Sequence, residues 1–402
     1  MTDRRWRTVA ALGSAQTLAW ASSYYLPAML AAPMARELGV TTPTVFAAFS
    51  LALVVSALIG PLAGRAIDRW GGRPVLLGTN LVSATGLGLL AAAQGPLGLF
   101  ASWVLLGIAM GCGLYEAAFS ALVRLYGPDS RNAITGITLI AGFASTVGWP
   151  LTTLLEVQLG WRGACLTWAA LHLLVGLPLN AALPGVATAR WQPAGAATPA
   201  VPATDEPSRD AVPPGEKGTQ DRRAAVLLAA TFAIVWFVST AMAAHLPRLL
   251  QASGVGLAAA VAMGALVGPA QVAGRLLEFG VLRRLHPLLS ARLAALAHPV
   301  GAAALLLAGA PLAPLFAVLH GAGNGILTIA KGTLPLALFG PAGYGQRQGL
   351  LMVPSRFAQA LAPVLFGLCL DRWGEGALWV STALGLLAFA LLMLLRHKPA
   401  AD

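Results

Sequence analysis

Residues 60–73 read GPLAGRAIDRWGGR. The stretch lies between two apolar runs, 44–59 and 74–93, and its three arginines and one aspartate set it apart from both. A short basic loop between two membrane-length helices faces the cytoplasm, because Lys and Arg are retained on that side. Gly60 and Gly64, four apart, let two helix backbones approach closely. Asp68 is a carboxylate at the membrane boundary, where burial is costly unless something positive faces it. Gly71 and Gly72 supply the reversal into the next helix.

Composition extends this reading to the whole chain. Of 402 residues, 57% are hydrophobic and 10% charged, with mean hydropathy +0.74. A soluble domain carries about 25% charged residues. The deficit indicates a polytopic membrane protein. The net charge of +11 does not indicate nucleic acid, because the basic residues recur between apolar runs instead of gathering in an aromatic-studded patch. Cys112, Cys165 and Cys369 lie in apolar segments with no ligand spacing and no disulfide framework. No nucleophile–base set, metal cluster or nucleotide-binding loop is present in the sequence. The reading is therefore not an enzyme, with no cofactor and no metal. Arg4, Arg5 and Arg7 precede a long apolar run, expected to be a retained first helix and not a cleaved signal.

A spanning helix needs about 20 apolar residues. Twelve spans are expected: 9–31, 44–64, 74–93, 97–121, 133–157, 162–183, 224–248, 257–278, 289–309, 312–336, 349–370 and 376–395. Residues 184–223 are proline-rich and polar, and read as a cytoplasmic linker between six-helix halves at 1–183 and 224–402. Arg36, Arg162, Arg248 and Arg372 fall in outer loops, and Arg275, Lys331 and Arg356 within or at the ends of spans. The rest of the 26 Lys and Arg lie on the inner side, which places both termini there.

The halves also repeat. AGRAID (63–68) recurs as AGRLLE (273–278), Trp20-x-x-Ser23 as Trp236-x-x-Ser239, and LYGPDSRN (125–132) answers LFGPAGYGQR (338–347). Matches in the same order argue for duplicated halves related by an axis along the membrane normal.

The 60–73 stretch resembles the signature loop between helices 2 and 3 of the major facilitator superfamily, roughly G-x-L-a-G-r-x-x-D-R-x-G-R-R. Gly60, Leu62, Gly64, Arg65, Asp68, Arg69, Gly71 and Arg73 match; Gly72 stands where arginine is common. The resemblance implies an all-α membrane protein with twelve transmembrane helices in two pseudo-symmetric six-helix bundles. It implies that Asp68 meets the start of helix 11 and Glu278 the start of helix 5. There they would gate the inner face together with Arg69, Arg73 and Arg275.

Charges inside spans cost about 2.5–3.5 kcal/mol each at the centre on insertion scales. Glu116, Lys331 and Arg356 are expected roughly 7–10 Å from the inner ends of helices 4, 10 and 11. Glu116 is expected to pair with Lys331 or Arg356 across the seam between halves, leaving a positive excess that attracts an anion. The alternatives are a permanent staple and, for Lys331, snorkelling to the headgroups. The resemblance also places helices 1, 4, 7 and 10 around a cavity. The cavity candidates are then Gln16, Trp20, Tyr24, Trp236, Ser239, His320 and Asn324, together with Arg356. His320 and Glu116 compete as proton carriers.

Glu37-Leu38-Gly39, Gly160-Trp161-Arg162 and the basic residue in helix 11 are similar to the monocarboxylate and oxalate–formate branch. Drug exporters carry an arginine where Trp103 stands and glycines where Thr152 and Thr153 stand. The binding arginine common in helix 8 of the monocarboxylate branch is replaced by Ala270. The expected function is secondary transport of a small organic anion such as a monocarboxylate, with a proton as co-transported partner. The alternatives are proton-driven efflux of a lipophilic drug and a non-transporting solute sensor. The chain is expected to be a monomer in the lipid bilayer of a bacterial inner membrane, with no nucleic-acid partner.

Overall fold

The computed structural model describes residues 3–185 and 214–395. Most of the expected 184–223 linker lies outside the described residues; 214–223 are helical. The described residues form helices and contain no strand. In chain order they are α1 (Asp3–Ala21), α2 (Leu26–Glu37), α3 (Thr42–Trp70), α4 (Gly72–Ala92), α5 (Pro96–Gly113), α6 (Tyr115–Tyr126), α7 (Arg131–Ala141), α8 (Ala144–Leu171) and α9 (Leu177–Ala181) in the first half. The second half holds α10 (Pro214–Ala252), α11 (Leu257–Gly280), α12 (Pro287–Ala308), α13 (Ala313–Phe339), α14 (Tyr344–Trp373) and α15 (Ala377–Leu394).

Eight helical stretches are long and apolar enough to cross a membrane. Two hold more than one crossing: Pro96–Ala181 folds into three, and Tyr344–Leu394 into two. With α1 and α2, which together make the first crossing, there are twelve. The fifth and sixth meet inside α8, where Gly160 has φ 70°. That left-handed value suits a residue without a Cβ and turns the chain.

Several crossings are broken, which hydropathy does not report. The first is interrupted at 22–25. Pro27 has no N–H to give the Ser23 carbonyl, and the Ser22 and Ser23 hydroxyls bond back to Leu18 and Ala19. The fourth is interrupted at Leu114, which is extended (φ −80°, ψ −169°) after Gly111 and Gly113. The fifth is interrupted at Gly142 and Phe143.

Each half has its own apolar core. Trp103, Phe119, Ile134 and Trp168 are buried in the first; Phe232, Phe316, Phe366 and Leu392 in the second. The halves meet along two seams, α3 against α14 and α7 against α11. At the first, Gly64 lies so close to Gly345 that a Cβ would sit 2.0 Å from the Gly345 oxygen.

Candidate functional site

The break at Leu114 starts α6 with Tyr115 and Glu116 in the middle of the bundle. The Gly113 carbonyl accepts a hydrogen bond from Gln16 Nε2 at 2.6 Å, which ties the broken fourth crossing to the first. Glu116 then faces two cations of the other half. Its Oε1 accepts from Lys331 Nζ at 3.0 Å and its Oε2 from Arg356 Nη2 at 3.0 Å. Side-chain exposure is 12% for Glu116, 3% for Lys331 and 6% for Arg356. Removing one member of such a buried set costs about 3–5 kcal/mol, because a charge is left without a partner.

Aromatic and amide groups surround this triad. Lys331 Nζ lies 4.6 Å from the Trp236 ring centroid and 5.5 Å from that of Tyr115, both within cation–π range. Trp20 packs on Tyr24, Tyr25 and Tyr115. Arg356 Nη1 donates to Gln359 Oε1 at 3.2 Å, and Gln359 Nε2 reaches Tyr24 Oη and Thr240 Oγ1 at 3.5 Å each. Gln16, Trp20, Tyr24, Trp236, Glu116, Lys331 and Arg356 are therefore brought together. Tyr115 and Gln359 complete the group and did not emerge from the sequence. Gln359 could have been found: three residues after Arg356, it shares that helix face.

Two sequence expectations need correction. The first is depth. α6 runs on to Tyr126, α13 to Phe339, and α14 begins at Tyr344. At 1.5 Å per residue, the three charges lie roughly 12–18 Å from the helix ends on the side of the 60–73 loop, deeper than the expected roughly 7–10 Å. The second is the cavity. Ser239, His320 and Asn324 line a separate space of about 30 Å³ within the second half, with His298. His298 Nδ1 and His320 Nδ1 are 3.0 Å apart, so one of the two rings holds the proton between them. A residue one or two positions around a helix from the cavity face points into its own bundle, and periodicity alone did not separate the faces.

On the side of the 60–73 loop, both seams are shut. Asp68 Oδ1 and Oδ2 accept from the backbone N–H groups of Gly345 and Gln346 at 2.9 Å each, at the start of α14. That helix end carries partial positive charge and unpartnered N–H groups. Across the second seam, Arg131 Nη2 donates to Glu278 Oε1 at 3.1 Å, and its Nη1 to the Leu285 carbonyl at 2.9 Å. Glu278 thus meets the start of α7 through a side chain and not through backbone N–H groups. Arg275 is buried against α7, where its Nη1 donates to the Thr138 carbonyl. Arg69 and Arg73 are exposed, Arg69 lying over the Trp70 ring.

Away from the 60–73 loop, polar contacts between the halves extend as far as Ser50 with Ala360 and Tyr24 with Gln359. Toward the end opposite the 60–73 loop, the hydrogen bonds among the described residues stay within a half. Glu37 accepts from Arg162 Nε (2.7 Å) and Trp161 Nε1 (2.5 Å). Arg248 pairs with Asp371, and His245 Nε2 with the Pro363 carbonyl. The Arg162 hydrogen bond, then that of Trp161, holds the Glu37 carboxyl below its ordinary range.

A family model described as "Major Facilitator Superfamily" matches residues 12–317. A chloramphenicol resistance protein of Pseudomonas aeruginosa is 34% identical over 170 residues, which are 39% of this chain and 36% of that protein. The match thus spans little more than a third of that relative's length. Solved structures with the same fold include the human organic anion transporter MFSD10 (TETRAN), at 18% identity and TM-score 0.68, covering 98% of this chain and 100% of that one. FucP in the outward conformation gives 14% identity and TM-score 0.71, covering 97% and 99%. The proton:xylose symporter XylE, bound to 6-bromo-6-deoxy-D-glucose, gives 12% and 0.71, covering 98% and 96%. At these identities the structures speak for the fold.

Proposed function

The chain belongs to the major facilitator superfamily, and on that premise we propose that it carries a small organic anion, a monocarboxylate, through the pocket around Glu116, Lys331 and Arg356. It is a multi-pass membrane transporter and not an enzyme. One observation carries the substrate reading: a single buried carboxylate is shared, one oxygen each, between two buried cations. A proton added to Glu116 removes the charge that holds both. The two oxygens of a substrate carboxylate then fit where Oε1 and Oε2 were, with Trp20, Tyr24 and Trp236 as apolar walls. Anion and proton cross together, and the site regains its ion pairs on release. Asp68 and Glu278 hold the inner face shut in the state described and let go in the opposite state. The membrane in this reading is a bacterial inner membrane, with both termini cytoplasmic and the protein acting as a monomer.

The test is uptake of labelled lactate, pyruvate and formate into proteoliposomes under an inwardly directed proton gradient. Saturable accumulation that collapses with the gradient is expected. The 34% relative favours a second reading, proton-driven efflux of a lipophilic compound such as chloramphenicol, for which the aromatic walls are equally suited. Transport of labelled chloramphenicol, with no monocarboxylate accumulation, would replace the first reading by the second.

A further inference from the structure

Arg275 is 5% exposed. Among the described residues it has no carboxylate partner within ion-pair distance. Its Nη1 reaches the Thr138 carbonyl at 3.3 Å and its Nη2 the Gln271 Oε1 at 3.5 Å, while Nε has no partner. A buried guanidinium so weakly bonded to neutral oxygens is costly unless something else offsets the charge.

The offset lies in the break of the fifth crossing. α7 ends at Ala141, and Gly142 and Phe143 leave the helix before α8 resumes at Ala144. The last carbonyls of a helix lack intrahelical partners and carry about half a negative charge. Thr138 is in that last turn. Gly142 makes the approach possible: a Cβ there would stand 2.1 Å from Arg275 Nη1.

We infer that Arg275 caps the broken C-terminal end of α7 from the other half, and by doing so sets how firmly the inner face is closed. It is a positioning residue for the transport cycle, acting through α7. The helix break has a purpose in this arrangement, since an unbroken fifth crossing would offer no free carbonyl end. The matching arginine of the first half, Arg65, is exposed, so the device belongs to one seam. The inference rests on the two-halved transporter fold and does not depend on which solute is carried.

The test is a distance measurement between spin labels at Asp129→Cys and Arg284→Cys, exposed positions on the inner ends of the two halves, in full-length protein without substrate. Arg275→Gln removes the charge. Gly142→Ala leaves the arginine in place but pushes the far end of its flexible side chain off the carbonyls. Each is expected to lower the ratio of inner-closed to inner-open protein roughly tenfold. Arg275→Lys should restore part of it. The double variant should do no more than either single one, because both remove the same contact. Wild-type distance distributions in either single variant, or additive effects in the double variant, would overturn the inference. Melting temperatures of each variant separate a shifted equilibrium from lost folding: a variant that melts like wild type and keeps the wild-type distances also counts against it.

Discussion

AGRAID and AGRLLE end the second crossing of each half, yet the two segments close their seams by different chemistry. In the first, Gly64 lies against the Gly345 backbone of the opposite half, Arg65 is exposed, and Asp68 takes two backbone N–H groups. In the second, Gly274 packs on Ala322 of its own half, Arg275 is buried, and Glu278 takes a guanidinium. One seam is backbone against backbone; the other is joined by long side chains. Duplicated sequence preserves where the halves meet, but the residues opposite decide how the contact is made. A backbone seam tolerates no added volume. A side-chain seam can give way and re-form.

The largest effect that sharpens this contrast is expected from Gly64→Val. Its branched side chain meets an immovable carbonyl, so transport should vanish, at least about a hundredfold below wild type, in protein that still reaches the membrane. The equivalent clash in the second half, Gly274→Val, falls within one bundle and should show first as a lowered melting temperature. If Gly64→Val transports normally, the contrast is lost.

Next is Asp68→Asn. Two charge-assisted bonds to a helix start weaken by about 1.5–3 kcal/mol, which should slow transport roughly tenfold or more while equilibrium binding of substrate changes little. Binding titration beside a flux assay distinguishes this from a substrate-site residue: a large affinity loss at normal rate would contradict it.

Glu278→Gln should matter less, about threefold in rate, because Arg131 keeps its bond to the Leu285 carbonyl and is partly solvated. An effect as large as that of Asp68→Asn would mean that the seams do not differ in kind.

The smallest effect belongs to the end opposite the 60–73 loop. Glu37 is an exposed carboxylate whose affinity for protons is lowered by Arg162 and Trp161. A depressed carboxylate contributes above its ordinary titration range and loses the contribution as pH falls through the lowered value. Glu37→Gln should therefore leave rates at neutral pH within about twofold of wild type. It should also flatten the acid side of a melting-temperature profile; an unchanged profile would contradict a stabilising role for the Glu37 pairing with Arg162 and Trp161.

Hydropathy carried the twelve crossings, because the membrane imposes length and leaves few alternatives. The charges of Glu116, Lys331 and Arg356 stood out for the same reason. Their depth did not: the fourth crossing continues to Tyr126 through Arg124 and Tyr126, residues that a hydropathy window counts as loop. The breaks at Leu114 and Gly142 depend on backbone angles that composition does not encode, although Gly111, Gly113 and Gly142 weaken the helix at those points. His320 was placed on the cavity because its helix lines one. Its partner His298 sits on another helix 22 positions earlier, a pairing that only packing reveals. Arg131 lies in LYGPDSRN, which was read only as the counterpart of LFGPAGYGQR, without a hint that it would meet Glu278.

The account turns on the pair of cations that share Glu116. Saturable uptake of a labelled monocarboxylate by Arg356→Gln protein, inserted normally in proteoliposomes, tests it directly. Loss of one of two buried cations should weaken binding by about 2–5 kcal/mol, so uptake should fall roughly a hundredfold with the protein otherwise intact. Uptake at the wild-type rate and affinity would contradict the role given to the central site.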